Sequence, residues 1–323
     1  MIIKDAFSIT TSKFSLVYKV ILVLLIAMLI FGIIGYAILA PTLNGYVNDL
    51  KGLGIGRVFK EYIKSIFNGG EGIQQDGGNV YYQALVDTIK DIGIITKNHV
   101  GSIWGGIIAI IVIALLFSVF YLICLYTVTD TLHTFMSSDS EYGFMSNMIA
   151  NLKKSFKFSL AYLGVGVACM IIIVGLSLGL GFLLSAVNNF LGIVVAYFTA
   201  LLLISIQRAL FSGWMPAYVV SDLTVKESLV VNFKIASKRF KDQLGVYFAL
   251  YLSTLILGII VTLCTFGFGI IIVWSVCAVL SLSHDMVEYY HFKGKKYYRD
   301  QQHVVDPTKK YKEAVLDLEF DEK

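Results

Sequence analysis

Residues 221–244 have the sequence SDLTVKESLVVNFKIASKRFKDQL, and this segment decides how the rest of the chain is interpreted. Thr224 and, three residues later, Glu227 fit a capping box, in which two side chains satisfy free amide groups at the start of a helix. Apolar side chains then recur along one helical face, at Leu229, Phe233, Ala236, Phe240 and Leu244. Basic side chains occupy the other faces, at Lys226, Lys234, Lys238, Arg239 and Lys241. The segment is therefore predicted to be a basic amphipathic helix.

An uncharged stretch long enough to cross a membrane begins directly after this helix, at Leu244. A basic amphipathic helix beside a span belongs at the membrane surface, with its apolar face in the acyl boundary and its cations near anionic headgroups. The lipid bilayer is therefore an expected partner. The candidate contacts to anionic lipid headgroups are Lys234, Lys238, Arg239 and Lys241.

The composition is that of a membrane protein. Only 15% of the 323 residues are charged and 57% are hydrophobic, whereas soluble globular chains typically have about 25% charged residues. The deficit is concentrated in six apolar stretches, each at least as long as the roughly 20 residues that cross a hydrocarbon core, with Arg208 and Asp285 as their charged residues. These predicted spans are 20–40, 103–128, 158–186, 190–218, 244–263 and 268–287, the first ended by Pro41. The predicted fold class is all-α: a polytopic membrane protein with six transmembrane helices in three hairpin repeats, with interfacial amphipathic helices.

One long loop, 41–102, separates the first two spans. Its segments 46–67 and 80–97 have amphipathic helical patterns, and the glycine-rich segment 68–79 lies between them. A helical hairpin on the outer membrane surface is predicted, available to a membrane or extracytoplasmic protein partner. The chain is thus divided into 1–40, 41–102, 103–128, 129–218, 219–289 and 290–323.

The distribution of cations predicts the orientation. One side of the six spans carries 19 lysines and arginines, against six in the loop 41–102. Cytoplasmic segments carry the excess of Lys and Arg, so both termini are predicted to be cytoplasmic in the cell membrane. The basic residues are not clustered on a folded soluble module, so no nucleic acid partner is expected.

The helix at 221–244 has a counterpart 84 residues upstream. The matching apolar positions are Met145, Ile149, Leu152, Phe156 and Leu160. Ser138 and Glu141 offer this counterpart a capping box, and the tetrapeptide KFSL occurs at both 13–16 and 157–160. Self-similarity at a fixed spacing is typical of repeat architectures. Three copies of an interfacial helix followed by a pair of spans are predicted, the first copy carrying the loop 41–102 as an insertion.

A resemblance to a known group rests on the second half of the chain. The segment PAYVVSD at 216–222, then Glu227 and Ser228, then KRF at 238–240 precede a span, a glycine-containing turn and a last span. This order resembles the membrane domain fused to some bacterial glycerophosphodiester phosphodiesterases and related six-span bacterial proteins. It covers about 138–290 and implies a fold, not an activity. The phosphodiesterase barrel of about 250 residues has no counterpart here, and the loop 41–102 is not part of the pattern.

Two polar residues, Gln207 and Arg208, lie about ten residues before the predicted end of the fourth span. Polar groups at membrane depth are costly and by default indicate a functional site or a buried pair. The sequence favours structural pairing of Arg208, or extension of its side chain towards the headgroups. A substrate or lipid contact is the alternative.

Carboxylate and imidazole groups follow the even-numbered spans, at Asp130, His133, Asp222, His284, Asp285, Glu288 and His291. The pairs Asp130/His133 and Glu288/His291 each place two possible metal ligands on one helical face. A di-iron site would need further inward glutamates, which the spans lack, so polar capping of the spans on the cytoplasmic side is favoured. No metal and no cofactor are predicted.

Small residues suggest packing positions but no chemistry. Gly175 and Gly179 form a GxxxG pattern, which is interpreted as packing within the bundle, with homodimerisation as the alternative. The four cysteines all lie in apolar stretches without a CxxC pair, so no disulfide is expected: Cys124, Cys169, Cys264 and Cys277.

The predicted function is that of a non-enzymatic plasma-membrane protein, a scaffold or an accessory to export, envelope assembly or immunity. One alternative is a transporter or flippase for a lipid or amphiphile, with Arg208 in its path. The other is a membrane metalloenzyme that uses the carboxylate and histidine pairs. Inward-facing polar residues are evident only in the fourth span, which favours the first hypothesis.

Overall fold

A computed structural model describes residues 2–54, 60, 77–138, 143–186, 188–267, 269–300 and 303–305. The chain is almost entirely helical. The helices are α1 (Ile2–Ser12), α2 (Ser15–Gly52), α3 (Gly77–Asn98), α4 (Val100–Ser137), α5 (Phe144–Ala150), α6 (Leu152–Ser185), α7 (Asn189–Phe211), α8 (Trp214–Val220), α9 (Val225–Cys264) and α10 (Gly269–Lys293). A short antiparallel hairpin, β1 (Tyr297–Asp300) and β2 (His303–Val305), follows α10.

Six helical stretches in the described residues are long and apolar enough to cross a membrane. They are Ser15–Gly52, Val100–Ser137, Leu152–Ser185, Asn189–Val220, Val225–Cys264 and Gly269–Lys293. The predicted fold class is therefore confirmed: the protein is an all-α polytopic membrane protein.

Two compact units divide the chain, one of residues 1–25 with 118–323 and the other of residues 26–117. In the second unit, Asp49 on α2 lies 2.8 Å from the His99 side chain, and the hydroxyls of Tyr46 and Thr96 are 3.3 Å apart. The start of α4 therefore lies beside the last turns of α2. The predicted hairpin segments between 55 and 76 lie outside the described residues, except Lys60.

The predicted end of the first helix at Pro41 is wrong, because α2 continues through Pro41 to Gly52. Proline removes one backbone donor from a helix. Membrane helices tolerate this where nearby hydroxyls bond the freed backbone groups. The carbonyl freed by Pro41 is that of Ala37, four residues earlier. Thr42, the next residue, donates its hydroxyl to the neighbouring carbonyl of Ile38 at 2.8 Å. The helix α3 begins at Gly77, three residues before the predicted start.

Residues 225–244 form the first part of α9, and the predicted capping box of Thr224 and Glu227 is confirmed. The Thr224 hydroxyl accepts from the Glu227 amide at 3.3 Å, and the Glu227 carboxylate accepts from the Thr224 amide at 2.9 Å. The helix then runs without a break into the span and ends at Cys264.

The buried face of α9 differs from the predicted apolar stripe. It consists of Ser228, Asn232, Ile235, Ala236, Gln243 and Tyr247. Phe233 of the predicted stripe is 46% exposed, whereas Ala236 is buried. The polar residues of this helix therefore pack against protein. Phe233 is at the edge of this contact, and its ring meets that of Phe211 on α7 edge-on at 5.9 Å.

The upstream counterpart of this segment is not one helix. It is divided at Asn151, which ends α5 and precedes α6. Gly143, without a side-chain cap, stands before α5, and Glu141 of the predicted capping box lies outside the described residues. All five apolar positions of the counterpart are exposed, at Met145, Ile149, Leu152, Phe156 and Leu160.

The best-buried element is the second half of α10. Every residue from Ser281 to Tyr290 is buried, although this helix has the lowest hydropathy of the six spans. The N-terminal helix α1 packs against it, and Thr10 donates to Ser283 at 3.0 Å. Tyr297 of β1 donates to Asp5 of α1 at 2.9 Å, so the chain after α10 also contacts α1.

Candidate functional site

Arg208 is at the centre of a buried polar cluster. It projects from the last turn of α7 and is surrounded by α6, α9 and α10. Its Nη2 donates to the carboxylate of Asp285 and, at 3.1 Å, to the hydroxyl of Ser281, to which Nε also donates at 3.2 Å. Its Nη1 donates to the Tyr162 hydroxyl at 3.1 Å. Each guanidinium nitrogen thus donates to a side chain of this protein.

The helix α10 lines one side of the cluster, because its polar residues recur at a helical spacing. Ser281, His284, Asp285 and Glu288 lie at i, i+3, i+4 and i+7, which places them on one helical face. All four are buried. His284, Asp285 and Glu288, which were predicted to cap a span on the cytoplasmic side, are therefore packed against protein and not exposed at a helix end. The helix continues to Lys293, and these groups face protein.

The helix α9 supplies the opposite wall of the cluster. Tyr247 donates its hydroxyl to the Asp285 carboxylate, and Gln243, one turn earlier, donates its amide to the Glu288 carboxylate. The ring of His284 meets the ring of Tyr247 edge-on at 5.6 Å. The two helices run antiparallel here, so Gln243 faces Glu288 while Tyr247 faces His284 and Asp285.

Burial makes the Arg208–Asp285 pair energetically important. The side chains are 15% and 1% exposed. A charge in such a site is tolerated only when paired and hydrogen-bonded, and removing one partner of a buried pair costs about 3–5 kcal/mol. The second carboxylate, Glu288, bonds a neutral amide and also lies in the field of Arg239. The cluster therefore stabilises one arrangement of α7, α9 and α10.

Two buried polar atoms in this cluster have no hydrogen-bond partner among the described residues. They are Oε1 of Gln243 and Nδ1 of His284. The His284 nitrogen lies 4.0 Å from Asp285 Oδ1, beyond hydrogen-bond distance. Among the described residues, two hydrogen-bonding atoms at the α9–α10 interface are thus left without a partner.

An aromatic cluster holds Tyr162 in place beside Arg208. The rings of Tyr162 and Trp214 are 5.5 Å apart, and that of Phe158 lies 5.7 Å from Tyr162 and 5.4 Å from Trp214. The Trp214 indole donates to the Val225 carbonyl and the Ser228 hydroxyl, both at 3.1 Å. The start of α9 is thereby attached to the break between α7 and α8.

Asn232 of α9 stabilises the same break. Its side-chain amide donates to the Leu210 carbonyl at 2.7 Å, near the end of α7. A Cβ on Gly213 would lie 3.0 Å from Ile235 and 3.2 Å from Asn232. Only glycine fits comfortably at this contact, so α9 can lie close to the chain just after Arg208.

The other carboxylate and imidazole residues named above do not join this cluster. Four separate contacts involve them: Asp130 with Asn151 at 3.0 Å, His133 with Tyr290 at 2.6 Å, Asp222 with Lys154 at 2.6 Å, and His291 with Tyr297 at 3.0 Å. The Lys154 hydrogen bond and charge lower the pKa of the exposed Asp222 carboxyl. Within the described residues, no three His, Cys, Asp or Glu side chains are arranged to hold a metal ion.

The residues predicted to contact headgroups lie along the first half of α9. Lys234, Lys238 and Lys241 are exposed, whereas Arg239 is half-buried. The Lys238 ammonium lies 5.7 Å above the ring of Phe292. Gln207 is half-buried and does not hydrogen-bond within the cluster around Arg208.

The glycines that pack helices are not those of the GxxxG pattern. A Cβ on Gly175 or Gly179 would have no described atom within 4 Å. By contrast, a Cβ on Gly192 would lie 2.6 Å from the Gly181 carbonyl oxygen, and one on Gly181 would lie 2.7 Å from Ala196. The close approach of α6 and α7 therefore uses Gly181 and Gly192, and the predicted packing role of Gly175 and Gly179 is wrong within the described bundle.

Sequence reasoning found Arg208 but missed its partners Tyr162, Tyr247 and Ser281. The available signal was the helical spacing of polar residues in α9 and α10, namely Gln243 and Tyr247 at i and i+4 and Ser281 and Asp285 likewise. No family model, curated protein or solved structure matches this chain.

Proposed function

We propose that this protein is a non-enzymatic multi-pass protein of the plasma membrane that acts as a scaffold or as an accessory to export, envelope assembly or immunity. The observation that supports this most directly is that each of the three guanidinium nitrogens of Arg208 donates to a side chain of the same chain. A transporter site must exchange such contacts with cargo. A buried pair held by its own chain instead favours one packing arrangement.

The distribution of cations supports an orientation with both termini in the cytoplasm. The segments on the side of the termini carry 19 lysines and arginines and the loop 41–102 carries six. The loop is then extracytoplasmic. It belongs to the unit of residues 26–117, and we propose that this unit contacts a membrane or extracytoplasmic protein partner.

The alternative is a transporter or flippase for a lipid or amphiphile. The observation that favours it is the pair of buried acceptors without partners, Gln243 Oε1 and His284 Nδ1, next to the charged pair. A mobile cluster in a transport path would use such spare hydrogen-bonding capacity.

A scrambling assay distinguishes the two functions. The purified protein is placed in vesicles with a trace of fluorescent phospholipid, and the fraction accessible to an impermeant quencher is followed over time. We expect the same accessible fraction as in protein-free vesicles. Faster scrambling that is lost in Gln243→Leu, while the variant remains folded, would replace the scaffold proposal by the flippase alternative.

Cross-linking tests the proposed partner contact. A photoreactive amino acid at Ile94, exposed on α3, is compared with one at Ile259, exposed on α9. In intact cells, Ile94 is expected to give one discrete protein adduct and Ile259 none. Equal adduct patterns at both positions would contradict a contact through the unit of residues 26–117.

A further inference from the structure

The contact between α9 and α10 includes a buried amide that faces a buried carboxyl group. Gln243 is 1% exposed and Glu288 is 3% exposed. Nε2 of Gln243 donates to Oε2 of Glu288. The other polar atom of the same amide, Oε1, has no hydrogen-bond partner among the described residues. A buried acceptor without a donor is unfavourable, so this oxygen indicates that a further donor belongs to the contact.

A proton on Glu288 supplies that donor. An ionised carboxylate only accepts hydrogen bonds, whereas a protonated carboxyl group carries one O–H donor. A carboxylic acid that accepts an amide N–H at one oxygen can donate from its other oxygen to the carbonyl of the same amide. Glu288 accepts at Oε2, which leaves Oε1 to carry the proton. The acid and the amide are then joined by two hydrogen bonds, and Gln243 Oε1 has a partner.

The charges of the cluster also favour a neutral Glu288. Asp285 accepts from the Arg208 guanidinium and from the Tyr247 hydroxyl, so the opposite charges of Arg208 and Asp285 compensate each other. Glu288 is the second carboxyl group of the cluster, and its donor Gln243 is neutral. A buried charge without a partner is costly enough that the group becomes neutral instead. Uptake of one proton from solvent by Glu288 removes this uncompensated charge.

The charged groups around Glu288 act on it in opposite directions or face other partners. Arg239, half-buried, and Asp242, exposed, are both on α9 and act on Glu288 with opposite signs. On α10 itself, His284 lies beside Asp285. Titratable side chains on the elements beside Glu288 are exposed or hydrogen-bonded to other groups: Lys4 is exposed, Asp5 and His291 bond Tyr297, His133 bonds Tyr290, Tyr289 bonds Ser221, and Tyr218 bonds the Lys154 carbonyl.

We propose that Glu288 is a proton-binding site: in the folded protein it holds one proton, taken from solvent, and shares it with the Gln243 carbonyl, so that a neutral acid–amide pair joins α9 to α10. The site adds a ligand to the polar cluster and does not depend on the scaffold role. When the proton leaves, a carboxylate oxygen faces the Gln243 oxygen without a hydrogen atom between them. The contact between the fifth and sixth spans therefore weakens as pH rises.

Infrared spectroscopy tests for the proton directly. A protonated carboxyl group has a C=O stretching band that is separate from carboxylate bands and shifts in D₂O. The protein in detergent at neutral pH is compared with Glu288→Gln, whose side-chain NH₂ can donate to Gln243 Oε1 in place of the acid. Asp242→Asn removes an exposed carboxylate of α9 and is the matched control.

We expect the parent and Asp242→Asn to have the same carboxyl band and Glu288→Gln to lose the part that belongs to one carboxyl group per chain. Equal band areas in all three proteins would overturn the proposal. That is also the result expected if a water molecule, and not an acid proton, bonds Gln243 Oε1.

Gln243→Leu tests the pairing, because it keeps Glu288 and removes its amide partner. The carboxyl band should persist and move to higher wavenumber, since the C=O group has lost the amide N–H. An unchanged band position in Gln243→Leu would mean that the proton is not shared with Gln243, and the proposal would be wrong.

The pH dependence of unfolding is a separate measurement of the same proton. An unfolded glutamate releases its proton around a pKa of about 4.3, whereas the folded protein retains it, so unfolding releases a proton above this pH. One released proton raises the unfolding equilibrium constant by up to about tenfold per pH unit. Between about pH 5 and about pH 8, the Tm values of the parent and of Asp242→Asn should therefore fall relative to that of Glu288→Gln. Parallel curves for the parent and Glu288→Gln would overturn the proposal.

Discussion

Arg208 of α7 donates to the carboxylate of Asp285 on α10, 77 residues further along the chain, and both side chains are buried. The pair joins the fourth and sixth spans, while Tyr247 of the fifth span donates to the same carboxylate. Three spans are therefore connected through one side chain. The two residues that donate to this carboxylate, Arg208 and Tyr247, are close to it in space but far from it in the sequence.

Removing one member of this pair should destabilise the protein more than removing both. Arg208→Met leaves Asp285 as a buried unpaired charge, at a cost of about 3–5 kcal/mol. The double variant Arg208→Met with Asp285→Leu leaves no charge unpaired. Thermal unfolding in detergent should show a lower Tm for either single variant than for the double variant. Additive losses in the double variant would contradict direct pairing.

Tyr247→Phe removes one donor to Asp285 while keeping the ring. A buried acceptor that loses its partner costs about 1–3 kcal/mol, so Tm should fall. Tyr251→Phe is the matched control, because the Tyr251 ring stacks on Tyr247 at 6.3 Å without donating to this carboxylate. Equal Tm values for the two variants would show that the hydroxyl of Tyr247 contributes nothing.

Gly192→Val should prevent α6 and α7 from packing. The added Cβ would overlap the Gly181 carbonyl and Ser185, and crowding of packed positions typically costs about 1–3 kcal/mol. Gly175→Val, at a position with no described atom within 4 Å of its Cβ, controls for valine in the same hairpin. Size-exclusion profiles of detergent extracts measure the folded fraction, which should fall only for Gly192→Val.

Phe233→Asp and Ile235→Asp should differ in how strongly they destabilise the protein in detergent and in vesicles. Phe233 is 46% exposed, whereas Ile235 is 1% exposed. If the exposed face of α9 contacts lipid, Phe233→Asp should increase protease cleavage in vesicles. In detergent it removes the edge-on contact with Phe211 and should lower Tm, but by less than Ile235→Asp does. Ile235→Asp buries a carboxylate and should lower stability in both media. Lys234→Gln serves as the neutral control, since other cations remain.

The pair of Lys154 and Asp222 predicts a small dependence of stability on pH. Lys154 lowers the pKa of Asp222 in the folded protein, so the stabilisation is fully present above the unfolded pKa of about 3.9. It is lost as pH falls through the lower folded value. Thermal unfolding followed from about pH 5 down to about pH 2 should show a slightly steeper fall for the parent than for Lys154→Gln. Identical slopes would contradict the pair.

The spans and the start of α9 were predictable because their signals are local. Uncharged length identifies a span, and Thr224 with Glu227 identifies a helix start. The second half of α10 shows where such reasoning fails. Its polar residues follow an apolar stretch, which is the pattern expected of an exposed end, yet they are buried because α1, α7 and α9 supply their partners. Such tertiary contacts have no signature in a single segment.

The prediction that the first span ends at Pro41 was wrong for a related reason. A proline lowers helical propensity wherever it occurs. Whether a membrane helix ends there depends on whether nearby groups bond the freed carbonyls. The GxxxG pattern at Gly175 and Gly179 similarly indicates small residues without saying which face of α6 meets α7. That face is set by Ile173, Ser177 and Gly181, which are buried.

The unbroken course of α9 has a mechanical consequence. Its 40 residues form a rod about 60 Å long at 1.5 Å per residue, twice the thickness of a hydrocarbon core of about 30 Å. The basic first half and the membrane-crossing second half are therefore parts of one continuous helix. The lysine-rich half is thereby tied to α10, through Gln243 to Glu288 and through Tyr247 to Asp285, whereas the corresponding segment before α6 is divided at Asn151 into the separate helix α5 and the start of α6.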